Sequence, residues 1–186
     1  MLKIAVILGS TRPNRVGAIV AEWVNGLAGK RTDAEFELVD VSALGLPLLD
    51  EELPPALGQY TRQHTRDWAA KVASFDAFIF VTPEYNHSVP AGLKNALDFA
   101  YAEWANKAAG FVSYGVAGGI RAVEHLRLVL VTELQVATVQ AQLALNSYTD
   151  FENFYDFKPT PHHEEMLDTV LGQVVSWGTV LQAVRQ

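Results

Sequence analysis

The stretch Leu2-Lys3-Ile4-Ala5-Val6-Ile7-Leu8-Gly9-Ser10-Thr11-Arg12-Pro13-Asn14-Arg15-Val16-Gly17 decides the fold. It reads as a strand, then a loop, then the start of a helix. Its first seven residues are almost continuously apolar, the pattern of a strand covered on both faces in a parallel sheet. The run ends in a Gly-Ser turn followed by arginines, with no small-residue cleavage site, so it is read as strand one and not as a signal peptide. No apolar stretch approaches the roughly 18 residues that span a bilayer, and no membrane partner is expected.

Outward from that stretch, short β-branched and aromatic runs alternate with segments of helical period, the signature of βαβ units. Further strands are expected at Phe36–Val41, Ala77–Thr82, Ala109–Ser113 and, more weakly, near Gln135–Val139. Helices are expected at about Val16–Ala28, Gln59–Ala73, Ala91–Tyr101, Gly119–Glu133 and Glu164–Val184. The first and third strands should lie mid-sheet. The right-handed crossover rule then favours an α/β, three-layer αβα sandwich whose five-stranded parallel sheet has the order 2-1-3-4-5. Ser42–Gly58 and Asn146–Pro161, rich in turn residues, read as irregular connections. No composition break divides the chain, so residues 1–186 are read as one domain.

The balance of 21 acidic against 14 basic residues gives a net charge of −7, and no basic stripe offers an electrostatic footprint for nucleic acid. There is no cysteine, which removes disulfides, thiolate metal sites and thiol nucleophiles together. That fits a reducing, cytoplasmic setting, and it means that any redox chemistry needs a cofactor.

In a doubly wound sheet, ligands sit beyond the carboxyl ends of the strands, so the loops after strands one, three and four should converge on one crevice. The first loop, Gly9–Gly17, offers hydroxyls and two arginines before a helix whose free N–H groups face the same space. It has neither the Gly-Lys-Ser/Thr ending of an NTPase loop nor the GxGxxG spacing of a dinucleotide turn, and a terminal monophosphate suits it better. Taken alone, it is equally consistent with a Ser-Thr helix cap flanked by solvated arginines. The loop Pro83-Glu84-Tyr85-Asn86-His87-Ser88-Val89-Pro90 is braced by two prolines. It can present backbone groups to the edge of a flat heterocycle, with Tyr85 as a flanking ring and Asn86 as an amide. Ser113-Tyr114-Gly115-Val116-Ala117-Gly118-Gly119 lets main chain approach a ligand closely, although such glycine turns are frequent without one.

GSTRPNRVG, PEYNHSVPAGLKNALD and SYGVAGG, in this order and spacing, resemble the NADPH-dependent FMN reductase family of flavodoxin-like proteins over roughly residues 2–135. The resemblance implies FMN phosphate on Ser10, Arg12, Arg15 and the backbone of Val16 and Gly17. It implies the flavin ring beside Pro83, Glu84, Tyr85 and Asn86, with Ser113, Tyr114, Gly115, Gly118 and Gly119 closing the other side. The chain departs from the family's usual pattern at Arg15 and Gly17, where small hydroxyl residues are common, and at Lys107-Ala108, where proline commonly follows the lysine. NADPH or NADH would be the co-substrate. Electrons would pass by a ping-pong route to a small acceptor such as a flavin, quinone, azo dye or chromate, and relatives imply a homodimer to which the helix carrying Lys94 and Asp98 contributes. No side chain is required as acid or base. The competing reading is a flavodoxin-type electron carrier without NADPH turnover, and the blandest is a scaffold with a vestigial site.

Other residues are set aside. His162 and His163 are adjacent and lack a third ligand, so no metal is expected. His125 reads as helix filler, whereas His87 stands near the crevice rim. Lys94 and Asp98 have the spacing of a solvent-facing pair. Tyr148, Phe151, Phe154, Tyr155 and Phe157 read either as a packed satellite cluster or as a cover for a partner subunit's flavin.

Overall fold

In the computed structural model, which describes residues 1–185, five parallel strands form one sheet in the order β2-β1-β3-β4-β5. The strands are β1 (Leu2–Leu8), β2 (Ala34–Asp40), β3 (Ala77–Pro83), β4 (Ala108–Gly115) and β5 (Ala137–Asn146). The domain expected from the sequence ends at Gln186, which lies outside the described residues. Helices α1 (Gly17–Ala28) and α5 (Pro161–Gln182) cover one face; α2 (Gln63–Ala73), α3 (Ala91–Asp98) and α4 (Ile120–Leu128) cover the other.

The alternation of side chains along each strand sorts the core into two chemically different halves. Ile4, Val6 and Leu8 of β1 with Ile79 and Val81 of β3 pack beneath α1 and α5, an aliphatic layer. Ala5 and Ile7 with Phe78, Phe80 and Phe111 pack beneath α2, α3 and α4, where Trp68 and Trp104 complete an aromatic layer. β3, central in the sheet, is buried along its whole length, as its unbroken apolar run requires. Gly110 in β4 permits close approach of α5, since a Cβ there would meet Val174 at 2.7 Å and Val170 at 2.8 Å.

Four expectations are corrected. β5 extends to Asn146, well beyond Val139, because Val139, Leu143 and Leu145 turn inward while Gln140 stays exposed. The Asn146–Pro161 connection holds a small antiparallel hairpin, β6 (Phe151–Glu152) with β7 (Asp156–Phe157). The third helix stops at Asp98, and Ala102–Trp104 is a separate 3-10 turn. The fourth ends as a wider π turn over Val129–Glu133, closed by Leu134 N–H to the Val129 carbonyl at 3.3 Å.

Two polar clamps hold the irregular parts. Glu51 accepts hydrogen bonds from Thr61 N–H at 2.8 Å, Thr61 hydroxyl at 2.7 Å and Arg62 N–H at 2.9 Å, fixing the approach to α2. Buried Lys107 donates to the carbonyls of Val72 at 2.8 Å and Ala73 at 3.3 Å, capping the same helix at its other end.

Candidate functional site

The loops after β1, β3, β4 and β5 meet at the carboxyl edge of the sheet around a cleft of about 290 Å³. Arg12, Arg15 and Val16 form one wall; Pro83, Glu84 and Tyr85 form the second; Tyr114, Gly115 and Val116 form the third. Ser147, Phe151 and Phe154 close the fourth side.

The first wall carries two arginines at the amino end of α1. The position before α1 is Val16, and no side chain caps the helix, so neither Ser10 nor Thr11 plays the capping role; Ala18 N–H turns back to the Arg15 carbonyl at 3.3 Å and Ile19 N–H to the Val16 carbonyl at 3.1 Å. Arg12 is exposed, and among the described residues no ion pair or hydrogen bond holds its guanidinium. Arg15 is mostly buried and pairs through one terminal nitrogen with Asp40, whose other oxygen accepts Ser42 N–H at 2.9 Å. The Arg15 Nε is buried with no hydrogen-bond partner among the described residues. A phosphate there would meet the permanent charge of two guanidinium groups at the positive end of the α1 dipole, so the residues present fit a phosphate monoester.

Ser10 is fully buried behind this wall, its hydroxyl 2.9 Å from the Tyr85 hydroxyl. Gly17 lies under Tyr114: a Cβ would run into the phenol oxygen. Burial pushes the Tyr114 hydroxyl up from its ordinary pKa, and Tyr85 adds to this, while Ser10 and the Gly17 amide pull the other way. Tyr114 therefore stays a neutral phenol, a fixed apolar wall with a hydrogen-bonding tip.

The second wall is a tight turn. Asn86 (φ +48°) and His87 (φ +72°) both sit in the left-handed region, and Tyr85 and Ser88 exchange two backbone hydrogen bonds at 2.9 and 3.1 Å. This is the geometry of a two-residue hairpin turn. It places Asn86 and His87 in solvent and not in the cleft lining. His87 lies 5.6 Å from the His125 ring, and His125 Nδ1 is 3.0 Å from the Ser88 hydroxyl. Glu84 turns its carboxylate away toward α4, pairing with Arg121 and accepting Arg121 N–H at 3.2 Å.

The third wall is shaped by backbone. Gly118 (φ +68°) and Gly119 (φ +70°) take conformations that side chains disfavour, and a Cβ at Gly119 would lie 2.9 Å from Ser113 and Tyr114 atoms. Ser113 donates to the Gly118 carbonyl at 2.6 Å. Ser113, Gly118 and Gly119 are buried behind Tyr114 and Gly115 and hold the loop instead of lining the cleft.

Sequence reasoning therefore brought together Arg12, Arg15, Val16, Pro83, Glu84, Tyr85, Tyr114 and Gly115 as lining residues. Ser10, Gly17, Ser113, Gly118 and Gly119, also expected at the cofactor, lie buried behind these lining residues, and Asn86 stands at the exposed turn of the second wall. Sequence reasoning missed Val116 and Ser147. The signal for Ser147 was the alternation Val139-Gln140-Ala141-Gln142-Leu143, which carries β5 on to the same edge. Phe151 and Phe157 do form a satellite cluster with Trp23 and Tyr114, while Phe154 faces the cleft of its own chain. His163 completes a reciprocal cap at the start of α5, with Thr160 N–H donating to its Nδ1 at 3.1 Å.

The model of the family described as NADPH-dependent FMN reductase matches residues 2–150. An NAD(P)H-dependent FMN reductase of Nectria sp is 40% identical over 158 residues, covering 81% of this chain and 79% of its own length. A 2-hydroxy-1,4-benzoquinone reductase of a Burkholderia species is 35% identical over 133 residues, 68% of each chain. Among solved structures, the flavoenzyme NAD(P)H:(acceptor) oxidoreductase from Paracoccus denitrificans superposes with a TM-score of 0.73 over 96% of this chain and 98% of that one, at 20% identity. With its doubly wound sheet and a phosphate-fitting cleft at the carboxyl edge, this chain belongs to the NADPH-dependent FMN reductase family of oxidoreductases.

Proposed function

We propose that the cleft binds FMN and that the chain carries electrons from NADPH or NADH to a small acceptor in two successive half-reactions. The observation that carries this is the pair of arginines on one cleft wall, Arg12 exposed and held by no ion pair among the described residues and Arg15 with a partnerless Nε, set at the amino end of α1 where charge suits a monophosphate. FMN, when bound, supplies the hydride acceptance and donation that no side chain of a cysteine-free cleft can supply.

The chain's own residues bind and orient. Arg12 and Arg15, at the amino end of α1, take the phosphate; the main chain of Pro83–Tyr85 and of Gly115 stands at the ring's edges. Tyr114, held neutral, offers an apolar surface. Positioning is the protein's contribution. One open mouth serves donor and acceptor in turn, which supports a ping-pong order. Acceptors of the quinone and flavin class suit such a mouth, and a relative is a benzoquinone reductase.

Residues 1–186 act as one FMN-binding unit in a reducing, cytoplasmic setting. We read the apolar groove of about 520 Å³ beside α3 and α4, flanked by exposed Leu128, as the seat of a second copy.

Titration of the purified chain with FMN, followed by quenching of flavin fluorescence, tests the first step, and anaerobic mixing of the loaded protein with NADPH tests the second. Tight binding with rapid bleaching is expected. Binding without bleaching leaves only the carrier, and no binding leaves only a scaffold.

A further inference from the structure

The fourth side of the cleft is built differently from the other three. Its base is rigid: Ser147 N–H donates to the Gly115 carbonyl at 3.0 Å, the Asn146 amide donates to the Val116 carbonyl at 3.0 Å, and Asp150 accepts Asn146 N–H at 2.7 Å. Beneath, Phe151 and Phe157 are buried against each other, and Phe157 stands edge-on to Trp23 at 5.0 Å. On this base the tip of the β6–β7 hairpin raises Phe154 into the cleft lining while leaving it 55% exposed. Phe154 has φ +64°, a conformation that costs a bulky residue free energy and that the adjoining Asn153 (φ +50°) accepts more readily. Tyr148, 64% exposed, meets it edge-on with ring centroids 5.3 Å apart. Burial does not account for a phenylalanine held in a strained conformation, half in water, at the mouth of a cleft.

We propose that Phe154, steadied by Tyr148, is the stacking surface for a flat, fused-ring electron acceptor of the naphthoquinone class, supplied by the same chain that holds the cofactor. This rests on the FMN-dependent reading above and goes beyond it by naming the residues that select the acceptor. Phe154 offers the π face, Tyr148 fixes its tilt, and the locked base keeps the cost of ordering low. The quinone takes up two electrons and two protons to become the hydroquinone while NAD(P)H and a proton become NAD(P)⁺. Phe154 lies beyond residue 150, where the family match stops, and Tyr148 just inside it.

The test uses the FMN-loaded full chain and the variants Phe154→Ala, Phe154→Trp and Tyr148→Ala. Menadione binding is followed without NAD(P)H by quenching of tryptophan fluorescence, and steady-state rates are compared between menadione and ferricyanide, which has no ring to stack. Phe154→Ala should raise the menadione Kd and KM about tenfold, Tyr148→Ala about threefold, and Phe154→Trp should restore both. The loss should fall on menadione and not on ferricyanide, so that the ratio of the two KM values moves about tenfold in Phe154→Ala. An unchanged menadione Kd in Phe154→Ala overturns the clamp. So does an equal loss with both acceptors, or a loss of FMN affinity, which would assign Phe154 to the cofactor. Failure of the wild-type chain to take up FMN is read separately, in the flavin titration, and removes the functional reading together with the clamp.

Discussion

The contact between Gly17 and Tyr114 shows how a single missing methyl group shapes the cleft. Alanine is the better helix former at the first position of α1, but its Cβ would collide with the phenol oxygen. Gly17→Ala is expected to lower stability by about 1–3 kcal/mol, and Tyr114→Phe, which removes that oxygen, should recover most of the loss. Urea unfolding of the two single variants and the double variant measures the coupling; additive effects would show that the wall relaxes freely. Arg12→Ala should weaken FMN binding about tenfold or more with no change in the urea midpoint, since its guanidinium touches nothing else among the described residues. Flavin-fluorescence titration decides it, and unchanged affinity would move the phosphate elsewhere. Asn86 asks for a different expectation from the one its sequence context invites. It stands in solvent at φ +48°, so Asn86→Ala should cost about 1 kcal/mol of stability and leave FMN affinity alone, whereas Asn86→Gly should be neutral. A large affinity loss with intact stability would return the amide to the ring.

Among the elements, β3 and its aromatic neighbours carry the fold. Phe80 is fully buried between Phe78, Phe111 and Trp104, and Phe80→Ala is expected to cost about 3–5 kcal/mol, visible as a lowered denaturation midpoint. The clamp on α2 makes a pH prediction. Burial lowers the Lys107 pKa from 10.5 to about 8, with nearby Arg185 adding to the effect and Asp76 and Glu103 opposing it. The folded chain thus binds fewer protons than the unfolded one between about pH 8 and 10.5, and this group's contribution to stability rises with pH across that window. The stability of the wild type relative to Lys107→Met should rise over the same range and be flat below it; a flat difference throughout would place the amine in solvent. Elements also show where sequence reading succeeds. β1 and β3 announce themselves because strands buried on both faces admit only apolar residues. β5 is an edge strand whose solvent side admits Gln140, so only its alternation marked it, and its pairing to β4 shifts register between Ala109 and Phe111. The loop walls were legible as chemistry but not as geometry. The sequence shows that Glu84 and Arg121 are charged, but only the fold turns the Glu84 carboxylate away from the cleft and onto α4.

The whole molecule places its ligand edge, its apolar groove and its chain ends in separate regions. The groove beside α3 and α4 carries exposed Leu128 at its border, and Leu128→Glu is expected to convert a dimer to a monomer in sedimentation velocity while leaving FMN uptake measurable. A wild-type chain that sediments as a monomer would remove the second copy from that face. Opposite the cleft, at the amino edge of the sheet, Asp76 accepts Lys3 N–H at 2.8 Å through one oxygen and Arg185 at 2.5 Å through the other, while Arg185 also donates to the Asn106 carbonyl at 2.7 Å. One aspartate thus ties residue 3 to residue 185, and the described chain is nearly a closed ring. A short peptide could join those ends and the ring could be opened instead at Gly58, in an exposed loop, without disturbing a cleft wall. For anyone wishing to wire this protein to an electrode or to a second enzyme, the attachment point is therefore at the back, with the cleft left facing outward.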